Sequence, residues 1–132
     1  MLITWALVMK ATTLKILAVD DNSSIREAMP FIFAAPDYEI SSAPDGDRAL
    51  AKLDADPNAY DIMIIDQKMP RMTGVELVRG IRERGVPGKI VVLSAHLTPE
   101  VRQAYEQMGV HVILEKPFDV EKLRSAVDRL AA

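Results

Sequence analysis

The sequence predicts one α/β domain, a doubly wound parallel sheet built from five strands alternating with five helices. Three observations predict it. Five short apolar runs alternate along the chain with segments of helical period. Two of those runs, Ile62 to Ile65 (IMII) and Ile90 to Leu93 (IVVL), are continuously apolar, as strands buried on both faces are. The 132 residues, 49% apolar and 27% charged, match one folded domain that can bury a core without staples.

The elements follow in order. Leu14 to Val19 (LKILAV) reads as the first strand and ends at Asp20-Asp21. Ser24-Ile25-Arg26-Glu27 has the form of a capping box, opening a helix with Ile25, Ala28, Met29 and Ile32 on one face. Pro30 inside that pattern is expected to bend or shorten the helix. Tyr38 to Ala43 is a more polar strand, expected at a sheet edge. Pro44-Asp45-Gly46 is turn chemistry, and a short helix follows through Ala49, Leu50 and Leu53. The third strand ends at Asp66. Thr73-Gly74-Val75-Glu76 is a second capping box, leading a helix that carries Leu77, Val78 and Ile81 inward and stops at Gly85. The fourth strand ends at Ser94. Thr98 and Pro99 supply an N-cap and a proline at the first helical position. Val101, Ala104, Tyr105 and Met108 mark that helix's inner face, leaving Arg102, Gln103 and Glu106 outside. Gly109 ends it. Val110 to Leu114 is read as the fifth strand, followed by Lys116-Pro117, and Asp119 caps a last helix with Leu123, Val127 and Leu130.

Residues 1–13 form an apolar extension ahead of a domain over 14–132. Met1 to Met9 (MLITWALVM) falls far short of the roughly 20 residues a membrane span needs. No Lys or Arg precedes the run and no A-x-A site follows it, which argues against a signal peptide. Two readings remain open for it: translation starting at Met9, or an extension packed on the sheet edge or a partner chain. A cytoplasmic location is the default.

Composition narrows the chemistry. The absence of cysteine excludes disulfides, thiolate metal sites, iron–sulfur clusters and cysteine nucleophiles. A net charge of −3 suits duplex DNA poorly, so no direct nucleic-acid contact is expected. Two histidines, His96 and His111, are too few for a multi-histidine zinc site and read as surface residues. Chemistry-bearing residues gather at strand ends instead: Asp20 and Asp21, Asp66, Ser94, and Lys116. If the strand order is 2-1-3-4-5, these ends are neighbours, and ligands of such sheets bind outside the carboxyl ends of the strands. Three carboxylates there repel one another unless a hard divalent cation joins them. Mg²⁺ (or Mn²⁺) held by Asp20, Asp21, Asp66 and the Lys68 backbone carbonyl, with Lys116 nearby, suits phosphoryl transfer to Asp66, and Ser94 can donate to a transferring oxygen.

The set DD, DQKMPRMTG, VVLSA and EKPF, in this order, resembles the receiver domain of bacterial two-component response regulators over about residues 14–132. The resemblance implies a flavodoxin-like sheet of order 2-1-3-4-5 and a protein that is no enzyme beyond its own phosphorylation and dephosphorylation. It implies Asp66 as phosphoacceptor, Asp20 and Asp21 as metal ligands, Ser94 as switch hydroxyl and Lys116 as the phosphoryl contact. The implied donor is a sensor histidine kinase or phosphotransfer protein. The implied output is a protein target, or a second copy, on the face of the fourth helix, fifth strand and fifth helix. One departure stands out: three residues before Lys116, where receivers carry Tyr or Phe, this chain has Ile113. Ile113 is expected to be a fixed apolar contact, with the loop after Ser94 and the fourth helix doing the switching. Lys68 and His96 stand where the family tunes dephosphorylation. A stand-alone regulator is expected; the alternatives are the receiver portion of a larger regulator and an aspartate-nucleophile phosphatase. Lys68 occupies the place where such a phosphatase wants a second Asp. A flavin-binding reading fails because the first loop, DDNSS, is acidic where a phosphate would sit.

Overall fold

The computed structural model describes residues 13–34, 36–110 and 112–132. Met1 to Met9 and His111 lie outside the described residues. Among the described residues, strands β1 (Leu14–Val19), β2 (Tyr38–Ala43), β3 (Ile62–Asp66), β4 (Lys89–Ser94) and β5 (Val112–Glu115) alternate with helices α1 (Ser23–Ile32), α2 (Gly46–Ala55), α3 (Gly74–Glu83), α4 (Pro99–Gln107) and α5 (Val120–Ala131). The strands form one parallel sheet of order β2-β1-β3-β4-β5, as expected. Because strand side chains alternate between faces, the central strands feed two cores. Leu17, Val19, Met63, Ile65 and Val92 pack under α2, α3 and α4; Ile16, Ala18, Ile64, Val91 and Leu93 pack under α1 and α5. No helix among the described residues is long and apolar enough to cross a membrane.

Register decides what meets at the carboxyl end. Val19 lies opposite Ile65, Asp66 opposite Leu93, and Ser94 opposite Glu115. Asp20 and Asp66 are therefore level, Ser94 stands one step further along β4, and Lys116 stands two steps further, just past the end of β5.

Two element boundaries differ from expectation. The Ser24–Glu27 box does not cap α1. Asn22 does, in extended conformation, its side chain accepting from the Ser24 amide at 2.9 Å. Asn22's own amide donates to Asp20 Oδ1 at 2.9 Å, so the cap and the acidic turn form one hydrogen-bonded unit. The fifth strand begins at Val112, not Val110. With Gly109 at φ +78°, the chain turns back and the Val110 amide closes α4 on the Tyr105 carbonyl at 2.9 Å, which takes it out of the ladder. Pro30 sits in the last turn of α1, which ends at Ile32. The Thr73–Glu76 box forms as read, with both reciprocal bonds.

Candidate functional site

The carboxyl ends of β1, β3, β4 and β5 bring the predicted residues to one place. Carboxylate oxygens of Asp20, Asp21 and Asp66 all lie within 4.8 Å of one another. Asp20 and Asp66 are buried, at 2% and 4% exposure, whereas Asp21 faces outward. The Lys116 ammonium sits 3.1 Å from Asp20 Oδ2 and 3.1 Å from Asp66 Oδ1, bridging the two buried acids. Its backbone is held by a bond from the Lys116 amide to the Ser94 carbonyl at 2.8 Å, and the Lys116-Pro117 peptide is cis. Arg26 donates to the Asp20 carbonyl at 2.7 Å and steadies the acidic turn from α1.

One ammonium does not balance three carboxylates. Burial first, and then the charge of Asp20, push the Asp66 carboxyl up from 3.8 to about 6, against the pull of Lys116. Burial alone would lower the Lys116 ammonium, but its bonds and charges with Asp66 and Asp20 outweigh that and hold it above its usual value. The donor set is all oxygen, hard, and negatively charged in excess, which fits a divalent cation such as Mg²⁺. Ser94 is 1% exposed, and among the described residues its hydroxyl has no hydrogen-bond partner. A buried hydroxyl left unpaired costs about 1–3 kcal/mol, and this one lies one residue past Leu93, the β4 partner of Asp66.

The Lys68 side chain is exposed in the loop after Asp66, and His96 is exposed after Ser94. Ile113 is half-buried on β5 and packs against the core beneath α2, α3 and α4. Arg102, Gln103 and Glu106 face outward on α4, and Tyr105 faces in, as the helical spacing requires.

Sequence reading missed a second constellation beside the acids. The Tyr105 hydroxyl donates to Gln67 Oε1, which also accepts from the Val75 amide at 3.1 Å. Tyr105 is fully buried, and burial, helped by the charge of Asp66, pushes its phenol well above the usual value. Gly74 makes room for this meeting: a Cβ there would lie 2.9 Å from the Asp66 carbonyl oxygen and 2.9 Å from Gln67 Cα. The signal available was a tyrosine on an inner helical face, whose polar tip has to find a partner.

Known proteins resemble this chain along most of its length. The family model of the response regulator receiver domain matches residues 16–128. Response regulator MprA of Mycobacterium leprae is 33% identical over 117 residues, 89% of this chain and 50% of that protein. MprA of Mycobacterium tuberculosis is 33% identical over 84% of this chain and 47% of its own length. The chain thus spans about half the length of these curated relatives. Among solved structures, chemotaxis protein CheY4 of Vibrio cholerae shares 35% identity at a TM-score of 0.80, covering 89% of this chain and 98% of that one. The Francisella response regulator 1452 receiver domain shares 28% at 0.79, covering 90% and 97%.

Proposed function

The chain belongs to the response regulator receiver domain family, and on that premise we propose that it is a phosphoacceptor switch whose modified residue is Asp66. The receiver comprises residues 14–132. The observation that carries the reading is the Asp20–Lys116–Asp66 bridge with Asp21 alongside. An Asp66 carboxylate oxygen attacks the phosphorus of a phosphohistidine on a sensor kinase or phosphotransfer protein. A P–O bond forms, the P–N bond breaks, and the imidazole leaves. Lys116, already against Asp66 Oδ1, contacts the transferring oxygens, and the unpaired Ser94 hydroxyl donates to one of them. Asp20, Asp21, Asp66 and the Lys68 backbone carbonyl would hold Mg²⁺ or Mn²⁺, which when bound neutralises charge on the phosphoryl oxygens.

The protein turns over no separate substrate: water attacking phosphorus returns Asp66 to its free form. Lys68 and His96, both exposed and each two residues past a site residue, are the side chains proposed to tune the rate of that attack. Output passes by protein contact through the face of α4, β5 and α5, to a downstream protein or a second copy, with no direct nucleic-acid contact by this domain. The site of action is the cytoplasm, where ATP charges the donor kinase. A stand-alone regulator is supported by the chemotaxis protein whose chain is spanned to 98%. A receiver within a larger regulator is favoured instead by the curated relatives, of which the chain spans about half. An aspartate phosphatase finds less support, because the residue two places after Asp66 is an exposed lysine and not an acid.

Incubation with acetyl phosphate and Mg²⁺, read by intact mass, tests the reading. The parent should gain one phosphoryl group and Asp66→Asn none. Equal modification of Asp66→Asn would show the assignment to be wrong.

A further inference from the structure

The family's usual aromatic reporter position is Ile113 here, and an isoleucine has no polar tip to carry a signal. We propose that Tyr105 of α4 is a latch: its hydrogen bond to Gln67 holds α4 against the phosphoacceptor strand while Asp66 is unmodified, and phosphorylation releases it. The inference rests on the phosphoacceptor reading of Asp66.

Gln67 directly follows Asp66, and the structure makes it a fixed post. Its amide donates to the Leu93 carbonyl at 2.9 Å, its carbonyl accepts from the Gly74 amide at 2.9 Å, and its side-chain oxygen accepts from Val75. A Cβ on Gly74 would crowd the Tyr105 hydroxyl, the Asp66 carbonyl oxygen and Gln67 Cα together, so the glycine lets the tyrosine reach this post. The other end of α4 is tied to the Ser94 loop, which on this reading is drawn toward the phosphoryl group. Only Ala95 to Leu97 separate Ser94 from Thr98, which caps α4 by accepting from the Val101 amide at 3.2 Å and the Arg102 amide at 3.0 Å. Phosphorylation replaces the single charge of the Asp66 carboxylate with nearly two on the phosphoryl oxygens and supplies an acceptor for the Ser94 hydroxyl. Drawing Ser94 inward drags the α4 cap with it, while Gln67 stays. A rigid helix anchored to one moving and one fixed point must give at the weaker tie. The Tyr105–Gln67 bond is a single neutral contact, whereas the cap joins the helix through the covalent chain and two amides. Gln67 Oε1 keeps its Val75 donor when the tyrosine leaves, so release strands no acceptor.

The test compares the parent, Tyr105→Phe, Gln67→Leu and the double variant, each free and with Mg²⁺ and beryllofluoride as phosphoryl mimic. Amide hydrogen exchange is read over residues 98–108, and intact mass after acetyl phosphate is read in parallel. In the parent, beryllofluoride should speed exchange in α4. Tyr105→Phe keeps the ring's packing, so it should still be phosphorylated. Its α4 should exchange about 5-fold faster without beryllofluoride, as expected for one lost hydrogen bond, and respond little further. Gln67→Leu should do the same, and the double variant no more than either. Parent-like exchange in Tyr105→Phe, an undiminished beryllofluoride response, or acceleration spread over β4 and α5 would each overturn the latch while leaving Asp66 as phosphoacceptor. A parent that takes up neither phosphoryl group nor beryllofluoride would overturn the phosphoacceptor reading and the latch together.

Discussion

Asp66 is where the cost of the site is concentrated. Its carboxyl is displaced from 3.8 to about 6 by burial and by Asp20, so the folded protein binds that proton more tightly than the unfolded chain does. The sign follows. In metal-free buffer, the charged form opposes folding at neutral pH, and stability is regained as pH falls from about 6 toward 3.8. Asp66→Asn removes the charge without removing volume. It should raise metal-free stability at pH 7.5 by about 1–3 kcal/mol and flatten this part of the pH profile. Thermal melts in EDTA between pH 7.5 and 5 check it, and parallel curves for parent and variant would count against it. Sequence alone pointed to Asp20, Asp21, Asp66, Ser94 and Lys116, because each ends a strand. It did not point to Gln67 or the Tyr105 hydroxyl, because a glutamine after a strand and a tyrosine on an inner helix face each have ordinary explanations singly. Only their contact gives them a joint role.

At the scale of elements, α3 shows how a local rule and a tertiary contact can oppose each other within one helix. Glycine is a poor helix residue, so replacing it by alanine favours the helix by up to about 1 kcal/mol. Gly80→Ala should stabilise the protein by a few tenths of a kcal/mol to about 1 kcal/mol. The atoms nearest the new Cβ would be side-chain ends of Leu50 and Arg84, none nearer than 3.3 Å. Gly74→Ala should instead destabilise by about 1–3 kcal/mol, because its Cβ would meet the Asp66 carbonyl oxygen and Gln67 Cα, both backbone atoms, at 2.9 Å. Urea denaturation of both variants measures the contrast, and a stabilised Gly74→Ala would mean the loop after β3 yields more than this packing implies. The same divide explains the two boundary errors. Residue types placed the capping box of α3 correctly, yet at α1 the Asn22 cap won because Asp20 also holds that turn. Val110 belonged to the α4 terminus because Gly109 reversed the chain.

At the scale of the whole molecule, the site and the proposed output face share β4, β5 and α4. Ile113, opposite Val92 on the β4–β5 ladder, offers apolar area beside α4. Burying such a side chain against a partner is worth about 1.5–3 kcal/mol. Ile113→Ala should therefore weaken association of the phosphorylated chain, with a downstream protein or with itself, while Asp66 is still modified. Sedimentation velocity on phosphorylated parent and variant reads self-association, and unchanged association would move the output face elsewhere. The sequence by itself determined the five alternating strands and helices, the apolar faces that make them pack, and the acids, hydroxyl and lysine at strand ends. Those are consequences of periodicity and residue type along the chain, which no neighbour has to supply. The tertiary structure decided the register that sets Asp20 level with Asp66 and Lys116 between them. It also decided the unpaired state of the Ser94 hydroxyl and the Tyr105–Gln67 bond. These depend on distances between segments far apart in sequence, and such distances exist only once hydrophobic burial has brought the segments together.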